Sequence, residues 1–115
     1  MTVLTESPEL NYTVLTGRVR KKSELKSTSF DIFVIRFEVE NTVSYDKSIA
    51  EKDRKTYIIS VEAWGTLAER IDRSITNGML VLIEGSLVSR SYEDRSKGIH
   101  YKMFLKASDV TTLGI

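Results

Sequence analysis

Residues 30 to 40, FDIFVIRFEVE, alternate between apolar and polar positions in the manner of a β-strand. One face carries Phe33, Ile35, Phe37 and Val39, and the other carries Val34, Arg36, Glu38 and Glu40. Successive side chains of a strand point to opposite sides of the sheet. The pattern therefore predicts a strand with one face in the core and one face in water.

Four further segments have strand-like composition. They are residues 10–20 with a bend at Gly17, 56–64, 79–94 with a kink at Gly85, and 99–110. The core face of residues 56–64 is predicted to be Tyr57, Ile59, Val61 and Ala63, and Trp64 lies with the polar set. In the last strand Tyr101, Met103, Leu105 and Ala107 alternate with His100, Lys102, Phe104 and Lys106. The polar stretches 21–29, 41–55 and 94–98 are predicted to be loops or turns.

One short helix is predicted between the third and fourth strands. Thr66 and Glu69 have the spacing of a capping box at its start. Leu67, Ile71 and Ile75 recur at intervals of four residues and would stack on one side. The helix is predicted to end at Asn77-Gly78, since both residues tolerate the left-handed conformation.

Five strands with one helix between the third and fourth follow the order of an all-β OB-fold, a small Greek-key barrel. An α+β sandwich with the helix lying across an open sheet is the alternative, although it gives no reason for long strands kinked at glycine. The predicted organisation is a flexible lead-in at residues 1–9 and one domain at residues 10–115.

Composition excludes several classes of function. The chain has 115 residues, a formal net charge of +1, no Cys and one His. It therefore has no thiolate metal site or disulfide, and attraction to a polyanion must come from local clusters of charge. The N-terminus does not have the pattern of a secretory signal, and no apolar stretch is long enough to span a membrane. We expect a soluble protein without membrane contacts.

Exposed aromatic residues and local basic clusters indicate where nucleic acid could bind. Trp64 and Tyr92 are predicted to lie on the solvated face, where rings stack on bases and basic side chains neutralise phosphates. The candidate phosphate contacts are Arg18, Arg20, Lys21 and Lys22 at and just after the end of the first strand, and Arg90, Arg95 and Lys97 around the last hairpin. The alternatives are that Trp64 is a packing residue and that the basic run is an ordinary solvated loop.

No catalytic site can be assembled from the sequence. His100 is interpreted as an exposed strand residue with no recognisable nucleophile motif beside it. Asp46, Glu51 and Asp53 lie among basic residues in a loop, without a helix or strand to hold them as metal ligands. We therefore predict a protein without enzymatic activity, metal or cofactor.

Residues 64–94, WGTLAERIDRSITNGMLVLIEGSLVSRSYED, resemble the bacterial and organellar single-stranded DNA-binding proteins. A looser match at residues 15–19, LTGRV, extends the resemblance over most of the chain from Leu10 onward. The resemblance implies an OB-fold and an assembly that is usually a homotetramer, although a homodimer also fits. By position it implies base stacking on Trp64 and Tyr92, with Tyr45 as a further candidate, and a basic contact at Arg90.

Three departures from this family pattern affect the expected function. Ile58 occupies a position where the family often has an aromatic residue, which predicts one stacking site fewer. Glu62 falls on the predicted binding face, where its carboxylate is expected to repel phosphate. The family usually continues into a flexible linker with an acidic tip that recruits replication and repair proteins, whereas this sequence stops at DVTTLGI. It is therefore either a shortened form or a paralogue without that tail.

The function predicted from the sequence is binding of single-stranded DNA with little sequence preference, which protects exposed strands in replication, recombination and repair. Stacking does not distinguish DNA from RNA. The alternative is a primosome-type accessory OB protein that mainly contacts another protein and binds DNA weakly. The expected location is the cytoplasm of a bacterium, with the nucleoid, or the matrix or stroma of an organelle.

Overall fold

A computed structural model describes residues 8–43 and 55–114, which form six strands and one helix. The strands are β1 (Thr13–Arg20), β2 (Lys26–Ser27), β3 (Phe33–Val43), β4 (Lys55–Trp64), β5 (Leu80–Glu93) and β6 (Ile99–Thr112). Helix α1 (Gly65–Ser74) lies between β4 and β5.

The five long strands close into a barrel. β1 pairs with β3 and β5, β3 with β4, and β5 with β6, all antiparallel. A short parallel pairing between β4 and β6 completes the ring. Each long strand therefore has a neighbour on both sides, which confirms the predicted OB-type barrel and excludes the open-sheet sandwich.

The strand ends differ from the predicted ones. β1 begins at Thr13, three residues after the predicted start at Leu10. β3 continues through Val43 and β4 begins at Lys55, so both ends of the predicted loop 41–55 belong to strands. The two-residue β2, which pairs with the start of β3, was not predicted because two residues cannot display a periodic pattern. The remainder of the predicted loop, residues 44–54, lies outside the described residues.

The core lies inside the barrel, closed at one end by α1. Its most deeply buried large side chains are Ile35, Ile71, Ile83, Leu105, Val39, Val61 and Val81. Ile71 and Ile75 of the predicted helix stripe are buried, and Leu67 is packed against them. The predicted apolar faces of the barrel strands are thus confirmed within the barrel itself.

Two hairpins extend beyond the barrel, and there apolar side chains are exposed, so the predicted core position of Tyr57 is wrong. Tyr57 on β4 is 54% exposed, and Tyr101 and Met103 on β6 are 72% and 60% exposed. β5 and β6 pair as far as Glu93 and Ile99, whereas β6 meets β4 only around Leu105. Alternation gives the side of a strand but not the point at which the opposite wall of the barrel ends.

Two other side chains depart from the predicted faces of β3. Phe33, predicted to be in the core, is 36% exposed, and Val34, predicted to face water, is buried. Phe104, which alternates with the apolar set of β6, is buried as well. Val34 lies between β2 and β4, opposite Lys26 and Trp64, and neighbouring side chains also cover the outer face at Phe104.

The helix begins earlier than the predicted capping box requires. Trp64 is the N-cap residue, with an extended backbone and no side-chain capping bond, and Gly65 is already helical. Thr66 therefore lies inside the first turn, and the capping box of Thr66 and Glu69 is wrong. Among the described residues, no helix has the length and apolar character needed to cross a membrane.

The helix also ends earlier than predicted, at Ser74. Ile75 leaves the helical conformation while its N–H still donates to the carbonyl of Ile71. Gly78 has a φ of +95°, so the left-handed residue lies in the turn after the helix rather than at its end. The N–H of Gly78 donates to the carbonyl of Val19 at 2.7 Å, which ties this turn to β1.

The predicted kink at Gly85 is confirmed. The register between β5 and β6 shifts between Glu84 and Gly85. A Cβ at Gly85 would lie only 2.2 Å from the carbonyl oxygen of Lys106, so no side chain fits there. Close approach of two backbones at a barrel corner is the physical reason for glycine at this position.

Candidate nucleic-acid interface

Trp64 lies at the junction between β4 and α1. Its indole Nε1–H donates to Oε1 of Glu62 at 2.7 Å, so the ring and this carboxylate lie on the same outer face of the barrel. The side chain is half-buried. The strand below and the hydrogen bond to Glu62 restrict the orientation of the ring, which suits a platform for stacking.

Glu62 is the one charged residue buried among the described residues, with 3% of its surface exposed. Arg36 donates through Nε to Oε2 at 2.9 Å, and Arg90 donates through Nη2 to Oε1 at 3.2 Å. The indole of Trp64 supplies a third donor. Burial by itself raises the pKa of Glu62, but the hydrogen bonds from Arg90, Arg36 and Trp64 outweigh it and lower the pKa below its usual value.

The sequence predicts that the Glu62 carboxylate repels phosphate, and the structure adds that its charge is paired within the protein. Two guanidinium groups compensate its charge, and their side chains are 51% and 56% exposed while that of Glu62 is 4% exposed. The outward charge of the cluster is therefore positive. The acidic group of Glu62 is on the predicted face, but it lies beneath the guanidinium groups of Arg36 and Arg90.

A groove of about 320 Å³ runs over this cluster. Its basic residues are Lys21, Arg36, Arg90 and Lys102, and Glu38, Ser60, Glu62 and Phe104 are among the others that line it. The guanidinium of Arg90 lies 4.8 Å from the centre of the Phe104 ring, a cation–π distance. The groove thus combines four cations with apolar and hydroxyl surface, which matches the chemistry of a nucleic-acid backbone.

Arg36 and Lys102 of this groove were not among the predicted site residues. Arg36 alternates with two acids on the predicted wet face of its strand, and Lys102 lies in a mixed strand, so neither stands out in the sequence. The only indication in the sequence was their place on the side of a predicted strand opposite to its apolar residues. Only the pairing of β3 with β4 and of β5 with β6 brings them to Glu62 and Arg90.

Lys22, a predicted phosphate contact, is instead bound to the end of helix α1. Its Nζ donates to the carbonyls of Asp72 at 3.0 Å and Ile75 at 2.7 Å. The last carbonyls of a helix lack partners within the helix and attract cations. Lys22 therefore satisfies the helix end, a role that its place in a basic run did not indicate.

Arg18 and Arg20 are also engaged within the protein. Arg18 donates through Nη1 to the carbonyl of Gly78 at 3.1 Å. Arg20 forms ion pairs with Glu38 at 3.3 Å and Glu40 at 2.9 Å across the β1–β3 pairing. Of the four predicted basic residues after the first strand, only Lys21 lies in the groove.

Tyr92 lies two residues beyond Arg90 on β5, on the same side of the strand and about 7 Å further along. Its ring is 56% exposed and stacks on the imidazole of His100, with ring centres 5.3 Å apart. His100 contacts Oδ2 of Asp94 through Nε2 at 2.5 Å. One face of Tyr92 is therefore covered by His100, which leaves the other face for a base.

The turn at the tip of this hairpin is organised by Asp94. Its Oδ1 accepts hydrogen bonds from the backbone N–H groups of Ser96 and Gly98 at 2.9 and 2.8 Å. The hydrogen bond from His100, followed by that from Gly98, lowers the pKa of the Asp94 carboxyl. The predicted contacts Arg95 and Lys97 lie in this turn and are exposed.

Two of the remaining sequence predictions concern residues outside the described ranges. Tyr45, the further stacking candidate, lies outside the described residues, as do the acids Asp46, Glu51 and Asp53. Within residues 8–43 and 55–114, no group of three or more His, Cys, Asp or Glu side chains could hold a metal ion. Ile58, which replaces the expected aromatic residue, is 47% exposed on β4.

Comparison with known proteins places this geometry in a family. The model of the single-strand binding protein family matches residues 10–113. The single-stranded DNA-binding protein of Caldanaerobacter subterraneus subsp. tengcongensis is 31% identical over 104 residues, covering 90% of this chain and 68% of that protein. Single-stranded DNA-binding protein 1 of Streptococcus pyogenes is 34% identical over 91 residues, covering 79% and 67%.

A third relative is longer. Single-stranded DNA-binding protein 2 of Streptomyces coelicolor is 34% identical over 87 residues, which are 72% of this chain but 44% of that protein. The chain thus matches less than half the length of this relative. The family match nevertheless covers the whole barrel, including the groove, Trp64 and Tyr92. The chain belongs to the single-strand binding protein family.

Proposed function

We propose that this protein binds single-stranded DNA with little sequence preference and protects exposed strands during replication, recombination and repair. The observation that carries the proposal is the groove, in which Lys21, Arg36, Arg90 and Lys102 surround a buried carboxylate that also binds the indole of Trp64. Cationic side chains beside exposed rings suit an unpaired strand, whose phosphates and bases are both accessible.

Bases stack on Trp64 and on the free face of Tyr92, and the groove cations bind the phosphates between them. Arg95 and Lys97 extend the positive surface at the hairpin turn. Tyr45 remains a candidate from the resemblance alone. We leave Arg18, Arg20 and Lys22 out of the proposed interface, because they do not line the groove and their charged groups bind elsewhere in the protein.

The alternative of an accessory protein with weak DNA binding is not favoured. The relatives described above carry the name of single-stranded DNA-binding proteins, and the groove has the cations that such binding needs. The proposed function requires no catalysis, metal or cofactor. We place the protein in the bacterial cytoplasm with the nucleoid, or in an organelle, as the resemblance implies.

The proposal includes assembly into a homo-oligomer, either a tetramer or a dimer. Exposed apolar side chains around β1, with Tyr12 60% and Val14 49% exposed, support a contact between copies. Light scattering coupled to size exclusion measures the mass directly. A mass equal to that of one 13.1 kDa chain over the micromolar range would remove this part of the proposal.

Fluorescence of Trp64 tests the proposed binding, because the protein has a single Trp. Titration with oligo-dT at low salt is expected to quench the emission, a matched duplex is expected to have little effect, and added salt is expected to weaken binding. Oligo-rU in the same assay compares RNA with DNA. Absence of both quenching and a gel shift with the single strand would refute the proposed function.

A further inference from the structure

The carboxylate of Glu62 connects three elements of the barrel. Its oxygens accept hydrogen bonds from Arg36 on β3, from Trp64 on β4 itself and from Arg90 on β5. The three donors come from distant parts of the sequence and share one acceptor group. Among the described residues, no buried side-chain nitrogen or oxygen atom lacks a hydrogen-bond partner, so the cluster is satisfied before any ligand binds.

Two opposite effects on DNA binding could follow from this carboxylate. Its negative charge weakens the attraction of the groove for phosphate. Its hydrogen bonds, however, hold two flexible arginine side chains in place, and ordering such side chains otherwise costs free energy when the ligand binds. Whether replacing Glu62 raises or lowers the affinity for DNA therefore shows which of the two effects is larger.

We propose that Glu62 is a positioning residue for binding of single-stranded DNA, which holds Arg36, Arg90 and the ring of Trp64 in their binding orientations. This inference rests on the proposed function. It does not require Glu62 to touch the DNA, because the carboxylate lies beneath groups that are themselves half-exposed.

The geometry of both arginines favours positioning over repulsion. Arg36 contacts Glu62 through Nε, and no hydrogen bond of its Nη groups to the described residues is seen, so these groups can donate to a phosphate. Arg90 is held from one side by Glu62 and from another by the Phe104 ring. Each guanidinium has five N–H donors, so binding to one carboxylate leaves donors for a second acceptor.

The same carboxylate links phosphate binding to stacking. The Trp64 indole donates to Oε1, the oxygen that also accepts from Nη2 of Arg90. A phosphate on Arg90 and a base on Trp64 would therefore be placed at a fixed mutual distance. Glu62 thus couples the position of a phosphate on Arg90 to that of a base on Trp64.

Substitution Glu62→Gln separates the two effects because their signs are opposite. Gln has nearly the same shape but removes a negative charge, and its amide group is a donor facing other donors. Simple repulsion predicts tighter binding of oligo-dT. Positioning predicts binding about threefold to tenfold weaker, since two arginine side chains must then be ordered by the DNA.

Glu38→Gln is the matched control. Glu38 also lines the groove and is an acid on the same outer face, but it pairs with Arg20 rather than with the arginines at Glu62. Its replacement removes the same charge without releasing Arg36 or Arg90. Binding by this variant is expected to be up to about threefold tighter, as removal of a repulsive charge from the groove predicts.

Fluorescence anisotropy of a labelled oligo-dT measures both variants over a series of salt concentrations. Loss of phosphate contacts in Glu62→Gln is expected to make the dependence of log K on log salt less steep than in the wild type. In an Arg90→Gln background the effect of Glu62→Gln is expected to shrink, because one of the positioned groups is already absent. Thermal unfolding checks that each variant is folded.

Tighter binding by a folded Glu62→Gln variant, or a steeper salt dependence, would overturn the inference while leaving the proposed function intact. If Glu62→Gln does not fold, Glu62→Asp decides the question. It keeps the charge but withdraws the carboxylate by one methylene, so weaker binding supports positioning and unchanged binding contradicts it. A wild-type protein that does not bind single strands would remove both the proposed function and this inference.

Discussion

Replacement of Trp64 by Ala is expected to weaken binding of single-stranded DNA by about 30-fold. Stacking of one base on an aromatic side chain contributes about 1–3 kcal/mol. Trp64 is half-buried and its Nε1 edge is bound to Glu62, so it offers a surface for one base rather than two. The middle of the range, about 2 kcal/mol, corresponds to about 30-fold in the dissociation constant.

Trp64→Phe divides this effect into two parts. Phe retains a ring for stacking but has no N–H group to donate to Glu62, so one of three donors to the buried carboxylate is lost. A hydrogen bond to a charged group contributes about 1.5–3 kcal/mol to the stability of the fold, and only part of it acts on binding. We expect Trp64→Phe to weaken binding by about threefold, which is roughly a third of the free-energy effect of the Ala variant.

Anisotropy of a labelled oligo-dT is the appropriate assay, because both substitutions remove the only Trp of the chain. Tyr57→Ala is the control, since Tyr57 is also an exposed aromatic residue of β4 but has the opposite parity to Trp64. The control is expected to bind within about twofold of the wild type, the scale of a surface change away from the interface. A folded Trp64→Ala variant that binds as well as this control would refute stacking on Trp64.

Three further predictions concern Lys22, Gly85 and the effect of pH on the buried Glu62. Lys22→Met is expected to lower the free energy of unfolding by about 1 kcal/mol, because the variant loses the hydrogen bonds of Lys22 to the end of α1. Its affinity for oligo-dT is expected to be nearly unchanged. A large loss of affinity without loss of stability would mean that Lys22 contacts the DNA. Gly85→Ala is expected to destabilise the barrel by about 1–3 kcal/mol in thermal unfolding, because the new Cβ would lie 2.2 Å from the Lys106 carbonyl oxygen, and an unchanged melting temperature would contradict the close approach. The pKa of Glu62 is lower in the folded protein than its ordinary value of 4.5, so its contribution to stability is complete above pH 4.5 and is lost as the pH falls through the folded pKa. Denaturant titrations should therefore find the wild type more stable than Glu62→Gln at neutral pH, with a difference that shrinks on acidification; a constant difference would mean that the carboxylate charge is not involved.

The order of five strand-like segments and one helix, marked by the stripe of Leu67, Ile71 and Ile75, favoured the barrel over the open-sheet sandwich. Gly85 indicated a corner correctly, since close approach of backbones excludes any side chain there. The capping box at Thr66 was wrong for a local reason. Trp64 ends β4 and caps the helix in one step, so the helix begins before the predicted cap.

The basic residues around the end of β1 illustrate that composition does not give the binding partner of a charged side chain. Their charges are close in sequence, yet Lys22 binds the helix end, Arg20 binds acids on β3, and only Lys21 lines the groove. Charge in a sequence gives the sign of a group but not its partner. The partner depends on which strand lies alongside, and that depends on closure of the barrel.

The sequence by itself determined the strands, the helix, the exposed side of Trp64 and membership of a DNA-binding family. Only the tertiary structure decided that Glu62 is buried and compensated, because Arg36 reaches it from the adjacent strand β3 and Arg90 reaches it from β5, which lies beyond β6. Periodicity is a local property, set by the backbone of one strand. Pairing of charges across a barrel is a property of strand register and curvature, which no single segment contains.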